Sequence, residues 1–321
     1  MSTEQEHPLT KRVNAELLNK PEKALVGNSA LITGATRMNG IGFAIAERFA
    51  LEGASPIFIV GTENSKDIAP FAQSRLKRYA GVVYTLIGDV TNEESCIEMM
   101  KHAYDLSEGN VNILVNNAGT NRNQTLTEIT TEDWNFVMYP KALGALLMTR
   151  EWFRIRNEKG IRGGRVINIG SVIGEYGNFG QDTYAMANAA LRGLTKTQSL
   201  TLGRRGITVN IIEPGFVEGT DMTSQMQQEQ VNAVKTVSAL NELIRPRDIA
   251  GAALYLAGKD GERVTGSVLA VDSGIQSNYT AAQMMYQAGL RRVPRYALGI
   301  IANLSQEEVT MIQQARKKKA E

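Results

Sequence analysis

Short β-branched segments alternate with longer segments of helical spacing along most of this chain of 321 residues. The spacing from one strand to the next, about 25–35 residues, leaves room for a crossover helix between parallel strands. The sequence therefore predicts the α/β class, with a Rossmann-type, doubly wound parallel sheet in a single domain. We predict strands at 29–33, 57–60, 82–87, 112–115, 166–169, 208–212 and 267–271.

The sheet domain is predicted to cover residues 24–278, with an extension at each end. Residues 1–23 are polar and form an N-terminal extension. Residues 279–321 form a helical C-terminal extension, in which Ser305 followed by acidic residues is typical of a helix start. Two interpretations of this extension stay open: a solvated or subunit-packing helix, and an element that docks a partner.

Composition excludes several classes of function. A net charge of +2 gives no strong field for nucleic acid, and no apolar run approaches the roughly 18 residues of a membrane span. The single cysteine, Cys96, indicates a cytoplasmic protein without internal disulfides. With only two histidines, His7 and His102, we expect neither a metal site nor a Ser-His-Asp hydrolase.

A glycine-rich loop follows the first strand and leads into a helix. Gly34, Gly40 and Gly42 are small enough to let the backbone approach a pyrophosphate at the helix N-terminus, which predicts dinucleotide binding. In the same loop, Arg37 is either a forked donor to a 2′-phosphate or a solvated charge.

The residue after the second strand bears on the choice of cofactor. Thr62 stands where an acid would hold an unphosphorylated ribose, although Glu63 follows directly. NADP(H) is therefore favoured over NAD(H).

Two hydroxyl groups are predicted to meet at the carboxyl edge of the sheet. Ser171 follows the strand at 166–169, and Tyr184 begins an alanine-rich helix thirteen residues later. A phenol that donates a proton and a second hydroxyl that hydrogen-bonds the same oxygen suit the reduction of a carbonyl group.

Over residues 25–277 the chain resembles the short-chain dehydrogenase/reductase family, and within it the 3-ketoacyl-carrier-protein reductases. The resemblance lies in NNAG at 116–119, GSVIGEYGNFGQDTY at 170–184 and PGFVEGTDM at 214–222. It implies NADPH-dependent reduction of a 3-oxoacyl thioester or related ketone, small or bound to a carrier protein. It also implies a homodimer or homotetramer.

The resemblance further implies which residues contact the cofactor, from the pyrophosphate loop to the nicotinamide carboxamide. Because the stretch at 218–221 is one residue longer than in the reductases, the position of Thr220 is the least defined. The predicted contacts are Gly34, Thr36, Arg37, Gly40, Ile41, Gly42, Thr62, Asp89, Val90, Asn116, Ala118, Gly119, Tyr184, Asn188, Pro214, Gly215, Val217 and Thr220.

The chain departs from the family at the catalytic lysine. The family has Tyr-x-x-x-Lys, whereas Asn188 stands four residues after Tyr184. The family's catalytic asparagine lies seven residues after a tryptophan; here Trp134 leads to Lys141. The catalytic set is therefore predicted as Ser171, Tyr184, Lys141 and Asn188, with the last two types exchanged.

The exchange has two interpretations. In the first, Lys141 restores the missing charge, since a cation about 4 Å from the phenol contributes on the order of 4 kcal/mol at an effective dielectric of about 20. Pro140 supports this, because it cannot donate to the carbonyl of Phe136 and should open the helix there. In the second, the site has decayed. Arg192 is a further candidate cation, or else a structural surface residue.

Three functions follow from these readings. The leading one is the ketoreductase. The alternatives are a cofactor-binding pseudoenzyme or partner subunit, and a dehydratase or isomerase that uses Tyr184 without a redox step.

Overall fold

The computed structural model describes residues 23–221, 223 and 228–276. Seven parallel strands form one sheet in the order β3-β2-β1-β4-β5-β6-β7, which confirms the predicted fold class. The order reverses between β1 and β4, and this is where open α/β sheets bind ligands. The strands are β1 (Ala30–Thr33), β2 (Ile57–Gly61), β3 (Val83–Ile87), β4 (Ile113–Asn116), β5 (Gly164–Ile169), β6 (Ile207–Pro214) and β7 (Val268–Val271).

Helices cover both faces of this sheet. They are α1 (Ile41–Leu51), α2 (Ala69–Leu76), α3 (Glu93–Leu106), α4 (Thr131–Met138), α5 (Gly144–Glu158), α6 (Ile173–Tyr176), α7 (Asp182–Gly203), α8 (Gln228–Val237) and α9 (Pro246–Ala257). A π-helical turn over Tyr139–Leu143 joins α4 to α5.

Alternation along β1 shows why the strand is apolar up to Thr33 at its end. Ile32 packs into a cluster with Phe49 of α1, while its neighbour Leu31 packs on the other face with Met100 of α3 and Trp152 of α5. Since successive side chains of a strand point to opposite faces, a sheet covered on both sides needs an apolar residue at every position.

The helix that contains Pro140 is interrupted, as the proline indicated. The amide of Gly144 donates to the carbonyl of Tyr139, the i to i+5 bond of a π-turn. The carbonyl of Phe136, which Pro140 cannot serve, accepts instead from the hydroxyl of Thr120 at 2.5 Å. The predicted opening at Pro140 is confirmed.

The two predicted extensions fall almost wholly outside the described residues, and so does the helix expected after Ser305. Within the described part of the chain, no helix has the length and apolar character needed to cross a membrane. Sequence reasoning missed α6, which is a single turn, and α8.

A buried polar chain ties the middle of the sheet to α5 and α7. The amide of Asn116 donates to Thr149 and to Asn168, both at 2.9 Å. The amide of Asn168 donates to Thr195 at 2.8 Å, and Thr195 donates to the carbonyl of Leu191. Because all four side chains in this hydrogen-bonded network are buried, the loss of any one of them leaves a buried polar group without a partner.

This chain predicts the effect of Thr195→Val, which keeps the shape of the side chain but removes the acceptor for Asn168. We expect the free energy of unfolding to fall by about 1–3 kcal/mol, the cost of a buried unsatisfied amide. Thr201→Val is the matched control, since Thr201 makes the same backbone bond within α7 at an exposed position. Equal effects of the two changes in urea unfolding would contradict the assignment.

Candidate active site

The ends of β1 and β4 are clasped together at the point where the strand order reverses. The amide group of Asn117 donates to the carbonyls of Thr33 and Gly34, at 2.9 and 3.0 Å. In return, the hydroxyl of Thr33 accepts from the backbone amides of Asn117 and Ala118, both at 3.0 Å. These bonds hold the start of the glycine loop and the NNAG segment at a fixed separation.

The glycine loop forms a cradle that only small residues permit. Gly34 has φ +64°, a left-handed conformation, and a Cβ on Gly42 would lie 2.5 Å from the Asn117 amide nitrogen. Gly40 caps α1 with extended backbone, so the first amides of the helix face the loop. A cradle that a Cβ would fill, at a helix N-terminus, fits the pyrophosphate of a dinucleotide.

The other predicted cofactor residues line the same edge of the sheet. Thr36 is buried and Thr62 is exposed beyond β2, with Ile41 at the first position of α1. Asp89, exposed beyond β3, accepts from the amide of Thr91 at 2.8 Å. Val90 would meet a Cβ placed on Gly144.

The segment after β6 closes this edge. Pro214 ends β6, and Gly215 lies so near Asp272 that a Cβ would be 2.9 Å from the Asp272 Cβ. Val217 pairs with Ile244, and the hydroxyl of Thr220 donates back to the Val217 carbonyl at 3.3 Å.

Arg37 spans the cleft and forms an ion pair with Asp221. Asn39 strengthens this bridge by donating to Asp221 at 2.8 Å and to the carbonyl of Gly219 at 3.2 Å. Both charged side chains are about half exposed, so the pair contributes no more than about 1 kcal/mol. The guanidinium predicted to hold a phosphate therefore holds a carboxylate that is easily displaced.

Ser171 and Tyr184 are brought together at the end of β5. Ser171 follows β5, and its hydroxyl accepts from the amide of Ile173 at 3.3 Å. Tyr184 lies in the first turn of α7 and is 9% exposed. Burial raises the pKa of the Tyr184 phenol, against the opposing effect of hydrogen bonds with Ser171 and Asn188. At neutral pH the phenol therefore keeps its proton.

Asn188 supplies hydrogen-bonding groups but no charge. Its side chain is fully buried, and the amide nitrogen donates to the backbone carbonyl of Tyr184 at 2.8 Å. The side-chain oxygen has no partner among the described residues. Such an orphaned acceptor suits a hydroxyl group of the cofactor that Asn188 is predicted to contact.

Lys141 leaves the π-turn and enters the protein between the ends of β4 and β5. It is 5% exposed, and its ammonium group donates to the carbonyl of Ile169 at 3.1 Å. A Cβ on Gly119 would be 2.6 Å from the Lys141 nitrogen, so glycine makes room for the side chain. No described carboxylate pairs with Lys141, and desolvation lowers its pKa to about 8.

Ser171 and Asn188 are the hydrogen-bonding groups that lower the pKa of the Tyr184 phenol against its burial. The effect of the Lys141 charge on that phenol stays a prediction. Lys141 lies on the same edge of the sheet as Ser171. Its ammonium group binds the carbonyl of Ile169, which precedes Ser171 by two residues.

Arg192 has a structural role. It donates to both oxygens of Glu213, at 2.5 and 3.1 Å, and it also pairs with Glu175. Glu213 is fully buried, and burial raises its pKa against the effect of Arg192. Sequence reasoning identified neither carboxylate, because neither lies at a helical or strand spacing from Arg192.

Comparison with known proteins gives consistent matches over the described domain. A family model described as "Enoyl-(Acyl carrier protein) reductase" matches residues 34–276. The 3-oxoacyl-(acyl-carrier-protein) reductase FabG of Vibrio cholerae is 38% identical, covering 78% of this chain and 98% of that protein. A blue fluorescent protein from a metagenomic library, solved with NADPH, is 33% identical at a TM-score of 0.71, covering 78% and 99% of the two chains. A short-chain dehydrogenase/reductase variant from Serratia marcescens is 32% identical, with a TM-score of 0.72 over 78% and 99%.

The buried ammonium of Lys141 predicts how stability depends on pH. Its pKa in the folded protein is about 8, below the ordinary value of 10.5. Below pH 8 the buried charge therefore lowers the free energy of unfolding by its full amount. Between pH 8 and about pH 10.5 this destabilisation is lost, because the folded protein releases the proton before the unfolded chain does. The unfolding free energy of wild type should therefore rise relative to Lys141→Met over that range, by up to about 3 kcal/mol.

Other titrations are common to both proteins and cancel in this difference. Lys196→Met, which removes an exposed lysine of α7, is the control, and its curve should stay parallel to that of wild type. Parallel curves for Lys141→Met, measured by urea unfolding from pH 7 to 10.5, would show that Lys141 is not buried as an ammonium.

Proposed function

This chain belongs to the short-chain dehydrogenase/reductase family, and we propose that it reduces the keto group of a 3-oxoacyl thioester with NADPH. Family membership makes it an NAD(P)H-dependent oxidoreductase. The observation that carries the proposal is the pair Ser171 and Tyr184, held at the same sheet edge as the glycine cradle. The thioester substrate is inferred from the curated relatives that are 3-oxoacyl-(acyl-carrier-protein) reductases.

In the proposed reaction Tyr184 is the general acid. A bound nicotinamide ring supplies the hydride that reduces the carbonyl carbon. Tyr184 donates its proton to the carbonyl oxygen, and Ser171 hydrogen-bonds the same oxygen and stabilises its developing charge. The raised pKa of Tyr184 suits this direction of reaction, because the phenol is protonated when substrate arrives.

Proton donation leaves a phenolate in a buried position, which is costly without a nearby cation. We assign this compensation to Lys141, whose pKa of about 8 lets it hold a proton at neutral pH and release it readily. Asn188 hydrogen-bonds the phenolate and offers its unpartnered oxygen to a ribose hydroxyl. In this proposal the charge comes from Lys141, and the contact with the cofactor ribose comes from Asn188.

NADPH is the proposed cofactor because a 2′-phosphate can displace the exposed carboxylate that now pairs with Arg37. A forked, charge-assisted contact to a 2′-phosphate is worth roughly 1.5–3 kcal/mol, more than the exposed pair with Asp221. No acid stands at Thr62 to favour an unphosphorylated ribose. Following the family, the enzyme is proposed to act as a homodimer or homotetramer.

The alternative is a cofactor-binding partner subunit with little activity of its own. One observation favours it: Asn188 carries no charge at the position where the family has its lysine. Steady-state activity decides between the two functions.

Reduction of an acetoacetyl thioester by NADPH tests the enzyme. Tyr184→Phe and Lys141→Met should each lower turnover at pH 7 by about 10²–10⁴, the usual effect of one acid–base group. Wild-type activity should decline above pH 8 as Lys141 loses its proton. Lys196→Met is the control and should keep wild-type turnover.

The exchanged pair allows a stronger test. Lys141→Asn combined with Asn188→Lys restores the family arrangement and should recover part of the activity that Lys141→Asn alone loses. Full activity of Lys141→Met would refute the role of Lys141, and no wild-type turnover with any ketone would favour the partner subunit.

Cofactor choice is tested at the ion pair of the glycine loop. Arg37→Ala should raise the dissociation constant for NADPH about 10- to 100-fold and that for NADH little, since only NADPH carries the extra phosphate. Asp221→Asn frees the guanidinium and should leave NADPH binding equal or tighter. Equal losses of both cofactors in Arg37→Ala, by fluorescence titration, would sink the assignment.

A further inference from the structure

A second cavity lies at the opposite edge of the sheet from the cleft, where β1, β4 and β5 begin. It has a volume of about 260 Å³ and is lined in part by Asn28 and Asn112, which precede β1 and β4. Its charged lining is entirely cationic and consists of Lys23, Arg156, Arg162, Arg165 and Lys259.

Carboxylates of the described chain do not neutralise this cluster. Arg156 is 1% exposed and spends its donors on the carbonyls of Val111 and Gly163, both at 2.7 Å, and its Nε atom has no partner. Arg165 makes one hydrogen bond, to the Gly164 carbonyl at 3.2 Å. None of the five cations forms an ion pair within the described residues.

Two acids close to this edge pair with arginines outside the cavity. Glu52 pairs with Arg48 at 3.0 Å, and Glu262 pairs with Arg263 at 3.4 Å. Partial burial lowers the pKa of Arg165, and Glu262 opposes this only as the weaker influence. Positive charge is therefore concentrated in a concave, half-buried space whose cations form no ion pair with a described carboxylate, an arrangement that an anion would stabilise.

The cations of the cavity differ in how deeply they are buried. Arg156 is buried and Arg165 is half-buried, whereas Lys23, Arg162 and Lys259 are exposed. Guanidinium groups at depth favour a planar or tetrahedral oxyanion, and mobile ammonium groups at the rim add charge without fixed geometry.

We propose that this cavity binds a phosphate-bearing small molecule, at a site separate from the cofactor cleft. Phosphate carries between one and two negative charges at neutral pH and offers three or more acceptor oxygens, which suits several surrounding cations. The volume exceeds that of a few waters at about 30 Å³ each, so a small organic group attached to the phosphate has room.

Binding is tested with inorganic phosphate and glycerol 3-phosphate on the full chain, by calorimetry at constant ionic strength with chloride as the balancing anion. Saturating NADP⁺ keeps the glycine cradle from contributing. Arg165→Gln should raise the dissociation constant of the better probe about tenfold. Arg78→Gln is the control, since Arg78 is an exposed arginine outside the cavity and should bind as wild type.

Tighter binding of glycerol 3-phosphate than of phosphate identifies a phosphorylated metabolite as the ligand, and the reverse identifies the free ion. If Arg165→Gln does not fold, Arg162→Gln with Lys259→Gln removes two exposed rim charges and should weaken binding to a similar extent. Phosphate binding that NADP⁺ abolishes, or that none of these variants weakens, would overturn the proposal.

Discussion

The clasp between β1 and β4 is the contact on which the cleft depends. Because the strand order reverses between β1 and β4, the segments that follow these two strands lead to opposite faces of the sheet. The space left between these segments is the ligand cleft. Thr33 and Asn117 bridge that space with four hydrogen bonds, two of which use the backbone of their neighbours Gly34 and Ala118. The glycine loop is thus shaped before any ligand enters, so binding need not order it.

Burial perturbs the two central ionisable groups of the cleft in ways that complement each other. Desolvation favours the neutral form of any group, which raises the pKa of Tyr184 and lowers that of Lys141. The phenol and the amine, with ordinary pKa values of 10.0 and 10.5, are therefore moved apart, and the phenolate becomes the stronger base. Transfer of a proton from the Lys141 ammonium to a Tyr184 phenolate is therefore favourable.

The fold was predictable from the sequence because its signals are local and repeated. Each apolar strand is followed by a helix, and Pro140 identified the one irregular turn of the long helix. The placement of Ser171 and Tyr184 followed from the same reasoning. The ion pairs did not, because Arg37 meets Asp221 and Arg192 meets Glu213 across separations that no periodicity encodes. The side-chain direction of Lys141 was equally out of reach, since it depends on the π-turn and on the space left by Gly119.

The π-turn at Tyr139–Leu143 has a consequence for how this chain can change over evolution. A π-turn is equivalent to one residue inserted into a regular helix, and it rotates everything on one side of it by about 100° relative to the other. The apolar stripes of α4 and α5 are therefore in register with the core only while that residue is present. Loss of a single codon would make the helix regular and turn one stripe away from the core. The residue at position 141 can therefore change without disturbing the helices, whereas the number of residues in the turn is fixed by the packing of α4 and α5.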